Sequence, residues 1–113
     1  MDPVVITDLT STTFDDIVLK NTEKPVIVDL WAVWCVPCLM YAPTMEEVAK
    51  EMKDSAVFTK VNVDEQPDIA QRYNIMSIPT TLIFFKGNIV KQLIGIQTKE
   101  ELTEAIKSVM PTS

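Results

Sequence analysis

Apolar and polar positions along this chain fall into two periods that take turns, and the turn-taking sets the architecture. Residues 26–31 are apolar on both alternating faces except at Asp29, which reads as a central strand buried on both sides, as in α/β proteins. Val57, Thr59, Val61 and Val63 alternate with Phe58, Lys60 and Asn62, the period-two signature of a further strand. Residues 80–86 form another apolar strand, and Val4, Val5 and Ile6 a short edge or early one.

Between these runs the period lengthens. Phe14, Ile17 and Val18 stand at i, i+3 and i+4, with Thr12 or Thr13 to cap a helix and Asp15 and Asp16 in a first turn where the dipole favours acids. From about Val36 to Met52, Met45, Val48, Ala49 and Met52 mark a buried helical face, while Glu46, Glu47, Lys50 and Glu51 face water. Pro43 lies inside this stretch, removes one backbone hydrogen bond and is expected to kink it. Asp64, Glu65, Gln66 and Pro67 open a short helix ending near Tyr73. Gly87-Asn88 then links two strands, the second over residues 89–94; glycine first in a two-residue link favours a type II′ turn. The last helix carries a capping box, Thr98 with Glu101, and an apolar stripe of Leu102, Ala105, Ile106 and Val109.

The order is β-α-β-α-β-α-β-β-α. Early alternation predicts parallel pairing and the late hairpin predicts antiparallel pairing, so the expected fold class is α/β, a mixed sheet with helices on both faces. At 113 residues the chain has the size of a single domain, residues 1–113, with room for one packed core.

Composition removes function classes rather than adding them. Acidic residues outnumber basic ones 16 to 10, for a net charge of -6 without long blocks of either sign; a phosphate-binding footprint needs clustered Lys and Arg, so nucleic acid is not an expected partner. Apolar runs fall short of the roughly 20 residues of a membrane span. The N-terminus shows neither a basic n-region nor a long apolar core, so the expected compartment is the reducing cytoplasm. Histidine is absent, and with it the usual general base, metal ligand and near-neutral switch.

Chemistry is concentrated at Cys35 and Cys38, the only two cysteines of the chain. Residues i and i+3 on a helix lie close enough for a disulfide, whose Cα atoms stand about 4.4–6.8 Å apart. With Cys35 at the N-cap its sulfur faces the unpaired N–H groups of the first turn; Pro37 has none to give, so the Cys38 N–H is the nearest donor. Dipole and hydrogen bond both favour thiolate, the attacking species in disulfide exchange. Cys38, one turn deeper, is placed to resolve the mixed disulfide. Competing readings are half of a zinc site, which lacks the remaining ligands, inert core cysteines, and a static disulfide whose short loop stabilises little.

Asp29 is the second informative residue. Burying a lone charged acid in an apolar strand costs several kcal/mol, so its pKa is expected to rise, and a protonatable carboxyl behind the CxxC can take the proton from Cys38. The plainer alternatives are contact with a water or a pairing with Lys60. Trp34, Val36, Pro37, Ile78 and Pro79 form an expected apolar rim around the sulfurs, although Ile78 and Pro79 also suit an ordinary turn.

Trp31-Ala32-Val33-Trp34-Cys35-Val36-Pro37-Cys38 resembles the active-site signature of the thioredoxin family. The resemblance runs from about residue 4 to residue 110 and takes in Asp29, Ala42-Pro43, Val61-Asn62-Val63-Asp64, Ser77-Ile78-Pro79-Thr80 and Gly95. It implies a thioredoxin fold, with Cys35 as nucleophile, Cys38 as resolving thiol and Asp29 as buried proton acceptor beside Lys60. It also implies a cis bond before Pro79, a target segment laid along Trp34, Ile78, Pro79 and Gly95, electrons from a thioredoxin reductase, and protein disulfides as targets. No cofactor beyond the redox-active Cys35–Cys38 pair is implied, and a monomer is expected. Departures are Val36 for the family's common Gly, Val33 for a polar residue, Ser77 for Gly, and Gly-Asn for Asn-Gly in the hairpin. Val36 and Pro37, with Lys60, are the residues expected to tune redox poise and the fit of a reductase. A general protein-disulfide reductant is thus expected; a partner-specific carrier and a non-catalytic binding or chaperone module on the same fold are the alternatives.

Overall fold

Strand β2 (Val26–Trp31) occupies the middle of a five-stranded sheet because both of its faces are apolar. The computed structural model describes residues 6–110. It adds β1 (Ile6–Asp8), β3 (Val57–Asn62), β4 (Thr80–Phe85) and β5 (Asn88–Ile94), in the order β1-β3-β2-β4-β5. β3 is parallel to β1 and to β2, while β4 is antiparallel to β2 and β5. Helices α1 (Val36–Met52), α2 (Pro67–Arg72) and α3 (Lys99–Val109) complete the frame with a π-helical turn over Asp15–Leu19.

The period-two pattern of the strands sorts the core into two halves. Ile27, Phe58 and Ile83 meet Tyr41, Met45, Val48 and Ala49 of α1 and Leu102 and Ile106 of α3 on one face. Val26, Val28, Leu30, Val61, Leu82 and Phe84 meet Phe14 and Val18 of the π-turn and Ile69 of α2 on the other. Each large side chain fully withdrawn from water contributes roughly 1.5–3 kcal/mol. On the second face Phe14, Tyr73 and Phe84 form an aromatic trio with centroids 5.4–5.8 Å apart. Lys99 Nζ, 2.9 Å from Glu47 and 2.7 Å from Glu51, ties α3 to α1 at the surface.

Four local expectations are revised. The first strand runs Ile6–Asp8, where β3 offers partners from Phe58 to Lys60; Val4 and Val5 lie outside the described residues. Thr12 and Thr13 do not cap a helix. Thr13 Oγ1 accepts from the Thr10 N–H at 2.9 Å, and the helix that follows is a π-turn closed by the Lys20 N–H on the Asp15 carbonyl at 3.0 Å. The hairpin link is Lys86-Gly87 rather than Gly87-Asn88, and both residues have positive φ, 54° and 81°, as a type I′ turn requires. Gly87 is also needed for space, since a Cβ there would stand 2.9 Å from the Leu19 carbonyl oxygen. Finally, β3 ends at Asn62, one residue before Val63. α1 continues across Pro43, whose missing N–H leaves the Leu39 carbonyl without its i+4 donor. β5 carries a bulge: Ile83 pairs with Lys91 and Phe84 with Ile89, which leaves Val90 between them.

Candidate active site

Strand β2 delivers the chain through the buried Ala32 into a turn closed by the Cys35 N–H on the Ala32 carbonyl at 3.2 Å. Cys35 then takes the N-cap of α1, with extended backbone (φ -88°, ψ 100°). Its sulfur accepts the Cys38 N–H at 3.2 Å. Pro37, in the first turn, supplies the helical φ without a donor, and no acid occupies that turn to compete for the dipole. Cys35 and Cys38 are joined as a disulfide, Cα to Cα 5.2 Å. Both are buried, against Ala32, Trp31, Val63 and Ile78.

The second wall comes from the segment before β4. The Ile78–Pro79 bond is cis, and the Ile78 carbonyl oxygen lies 3.8 Å from Cys35 Sγ. Thr80 Oγ1 donates to the Ser77 carbonyl at 2.7 Å, and the Gly95 N–H donates to the Pro79 carbonyl at 2.9 Å. Gly95 holds φ +85° with open space where a Cβ would stand, so glycine is used there for conformation rather than room. Trp34, 65% exposed, is fixed by its indole N–H on Asp64 Oδ2 at 2.7 Å. A groove of about 310 Å³ opens beside it, lined by Trp34, Val63, Ala70 and residues 75–78.

The residues expected to form the apolar rim differ in exposure. Trp34, Val36 and Pro37 are exposed and Ile78 is partly so, whereas Pro79 is buried. Met76 on the groove, and Leu39 and Met40 beside Val36 on α1, are exposed apolar additions. For Leu39 and Met40 the signal lies on the helix itself: Cys38, Tyr41, Met45, Val48, Ala49 and Met52 make the buried stripe of α1, and these two are apolar residues left outside it.

Asp29 lies on β2, on the face that packs against α1. Its backbone neighbours are Lys60 in β3 and Thr81 in β4. The carboxyl is buried and Oδ1 has no hydrogen-bond partner. Burial pushes its pKa up to about 7, with the nearby Lys60 charge pulling the other way. Lys60 Nζ sits 3.8 Å from Asp8 Oδ1 and 5.3 Å from the centroid of the Trp31 ring. Thr81, fully buried, holds the hydroxyl of the equally buried Tyr41 at 3.0 Å. Among the described residues no group of three or more His, Cys, Asp or Glu is placed to hold a metal, and no helix is long and apolar enough to cross a membrane.

A family model described as Thioredoxin matches residues 5–108. The chain is 49% identical over 88 residues to a thioredoxin of Alicyclobacillus acidocaldarius, which covers 78% of this chain and 84% of that protein. It is 39% identical over 104 residues to a thioredoxin of Staphylococcus saprophyticus, covering 92% and 97%. A bifunctional thioredoxin reductase/thioredoxin of Mycobacterium leprae is 40% identical over 98 residues, which are 87% of this chain and 21% of that longer protein.

Proposed function

This chain belongs to the thioredoxin family and is a thiol-disulfide oxidoreductase, and we propose that Cys35 is its nucleophile, Cys38 its resolving thiol and Asp29 the acceptor of the Cys38 proton. In the reduced protein the Cys35 thiolate attacks a target disulfide, forming a mixed disulfide and releasing one target thiolate. Cys38 gives its proton to the Asp29 carboxylate, and its sulfur then attacks Cys35 Sγ. That step closes the Cys35–Cys38 disulfide and releases the second target thiolate. Two electrons have passed to the target. The released thiolates take up two protons, one that Cys38 surrendered and one from solvent.

The observation that supports this reading best is the helix start at Cys35. Its sulfur receives an N–H at 3.2 Å in a first turn without acids, a setting that favours thiolate at neutral pH. A pKa of about 7 at Asp29 suits the acceptor role, because about half of the carboxyl is then ionised at neutrality. Trp34, Ile78, Pro79 and Gly95 line the path of the target segment. Val36 and Pro37 adjoin the sulfur and, with Lys60 beside Asp29, set the balance between dithiol and disulfide.

Disulfide-bearing proteins are the substrates, and a thioredoxin reductase is the electron donor; the M. leprae relative bears both names in one protein. The protein works as a single-domain monomer in the cytoplasm with its own dithiol as the only redox group.

Two variants test the assignment. Cys35→Ser should abolish insulin-disulfide reduction driven by dithiothreitol, and Cys38→Ser should accumulate mixed disulfides with targets in a lysate. Full turnover in the first variant would remove Cys35 as the nucleophile, and no trapped species in the second would count against Cys38 as the resolving thiol.

A further inference from the structure

Six methionines occur in the chain, and the fold sorts them by what can reach their sulfurs. Met45 and Met52 are buried in the core half under α1, and Met110 packs against it partly covered. Met40 and Met76 are 66% and 85% exposed, and Met76 is the most exposed large apolar side chain among the described residues. Met1 lies outside those residues. Both open thioethers belong to the working end. Met40 follows Val36 and Leu39 at i, i+3 and i+4 on the free face of α1. Met76 lines the groove beside Trp34 and Ile78, two residues from the carbonyl that stands 3.8 Å from Cys35 Sγ. Its neighbours hold it there. Ile75 and Ile78 pack against the second core half, the Ile75 N–H donates to the Ala70 carbonyl at 2.9 Å, and the Ser77 carbonyl accepts the Thr80 hydroxyl at 2.7 Å. A segment fixed on both sides thus presents a thioether that the fold itself leaves uncovered.

We propose that Met76 is a reversible oxidation site that grades target docking: a peroxide converts its thioether to a sulfoxide, and the polar sulfoxide loosens the groove's grip on an incoming segment. A sulfur lone pair attacks one oxygen of hydrogen peroxide. The O–O bond breaks as the S–O bond forms, and the second oxygen leaves as water with both hydrogens. Sulfur gives up two electrons and the peroxide accepts them. With Cys35 and Cys38 closed as a disulfide, no thiolate at this end competes for the oxidant. Methionine suits such a mark, because the thioether is a flexible apolar contact and the sulfoxide a polar one that dedicated reductases can remove. The effect on turnover rests on the reading of Trp34, Ile78 and Pro79 as the path of the target segment.

The test treats the disulfide form with hydrogen peroxide, removes the peroxide, maps sulfoxides by peptide mass spectrometry, and then follows insulin reduction by dithiothreitol. Met76 should be oxidised well before Met45 and Met52; oxidation no faster than theirs overturns the site. Treated wild type should show a KM for insulin raised about fivefold at unchanged kcat, and the two methionine sulfoxide reductases, one for each epimer, should bring it back. In Met76→Leu the KM ratio of treated to untreated protein should stay at one, whereas in Met40→Leu it should match wild type. A response that persists in Met76→Leu, or vanishes in Met40→Leu, overturns the assignment to Met76. Trp34→Ala, read without peroxide, tests the target path by itself. A KM indifferent to Trp34→Ala overturns that path and the switch with it. A KM that responds to Trp34→Ala but not to Met76 oxidation overturns the switch alone.

Discussion

Helices α1 and α3 begin with the same device built from different atoms. At α3 the Thr98 hydroxyl accepts the Glu101 N–H at 3.0 Å while the Glu101 carboxyl accepts the Thr98 N–H at 2.9 Å. At α1 the acceptor is the Cys35 sulfur, on the Cys38 N–H at 3.2 Å. Each start also has a carboxyl nearby. Glu101 is exposed and spent on the cap, whereas Asp29 is buried with Oδ1 unmatched. The first turn of α3 holds two acids, Glu100 and Glu101; that of α1 holds none. One start uses its dipole to stabilise a helix. The other keeps its dipole for a sulfur that must change charge, and withholds from its acid the partners that would settle its proton.

The largest way to sharpen that contrast is Asp29→Asn. The folded-state pKa of Asp29 is raised from its ordinary 3.8 to about 7, so the folded protein binds a proton more tightly than the unfolded chain. Wild-type stability therefore falls as pH climbs through that window and stays low above it, a loss of up to about 4 kcal/mol. The variant cannot titrate there, and its stability relative to wild type should grow between pH 4 and pH 8, read from urea midpoints at each pH. A constant gap would show that Asp29 does not carry the shifted proton.

Next in size is Thr98→Ala. Loss of the cap should cost about 1 kcal/mol of stability in thermal melts and leave insulin reduction untouched. A fall in turnover beyond that of a merely less stable protein would erase the distinction between the two helix starts.

The smallest effect is expected from Val36→Glu, which gives α1 the acid that α3 already has. In the reduced protein the Cys35 thiol pKa should rise by about half a pH unit, followed through thiolate absorbance. A thiol that titrates unchanged would mean the dipole is not what tunes it.

What was legible in the chain was local. The apolar run of β2, interrupted only at Asp29, marks its span, and the helix over Val36–Met52 follows from the i, i+3, i+4 spacing of Met45, Val48, Ala49 and Met52. The Thr98–Glu101 box and the Cys35 cap depend on residues three apart, so they too can be read directly. What could not be read depends on partners distant in sequence. The type I′ turn follows from the register of Phe85 with Asn88 and from the Leu19 carbonyl pressing on Gly87. The π-turn buries Phe14 and Val18 together against β2 and β4, and this packing overrides the threonines that looked like caps. At the site, Cys35, Cys38, Asp29 and Lys60 were named from sequence. Tyr41 and Thr81 were not, because each looks like an ordinary core or strand residue until β4 is laid against β2. Met76 was missed for a similar reason: only the fold of residues 75–78 beside Trp34 turns it toward a shared groove.

The bulge at Val90 has a meaning for solubility. β5 is an open sheet edge seven residues long, bearing the exposed Ile89, Val90 and Ile94, and a straight edge of that kind recruits further strands. The extra residue interrupts its hydrogen-bonding rhythm, and Lys91, set next to it, adds a charge that an incoming strand would have to bury. A protein whose working end is greasy must meet many partners without sticking to its own copies. Here the safeguard stands on the opposite rim of the sheet from β1, in a single misfit residue.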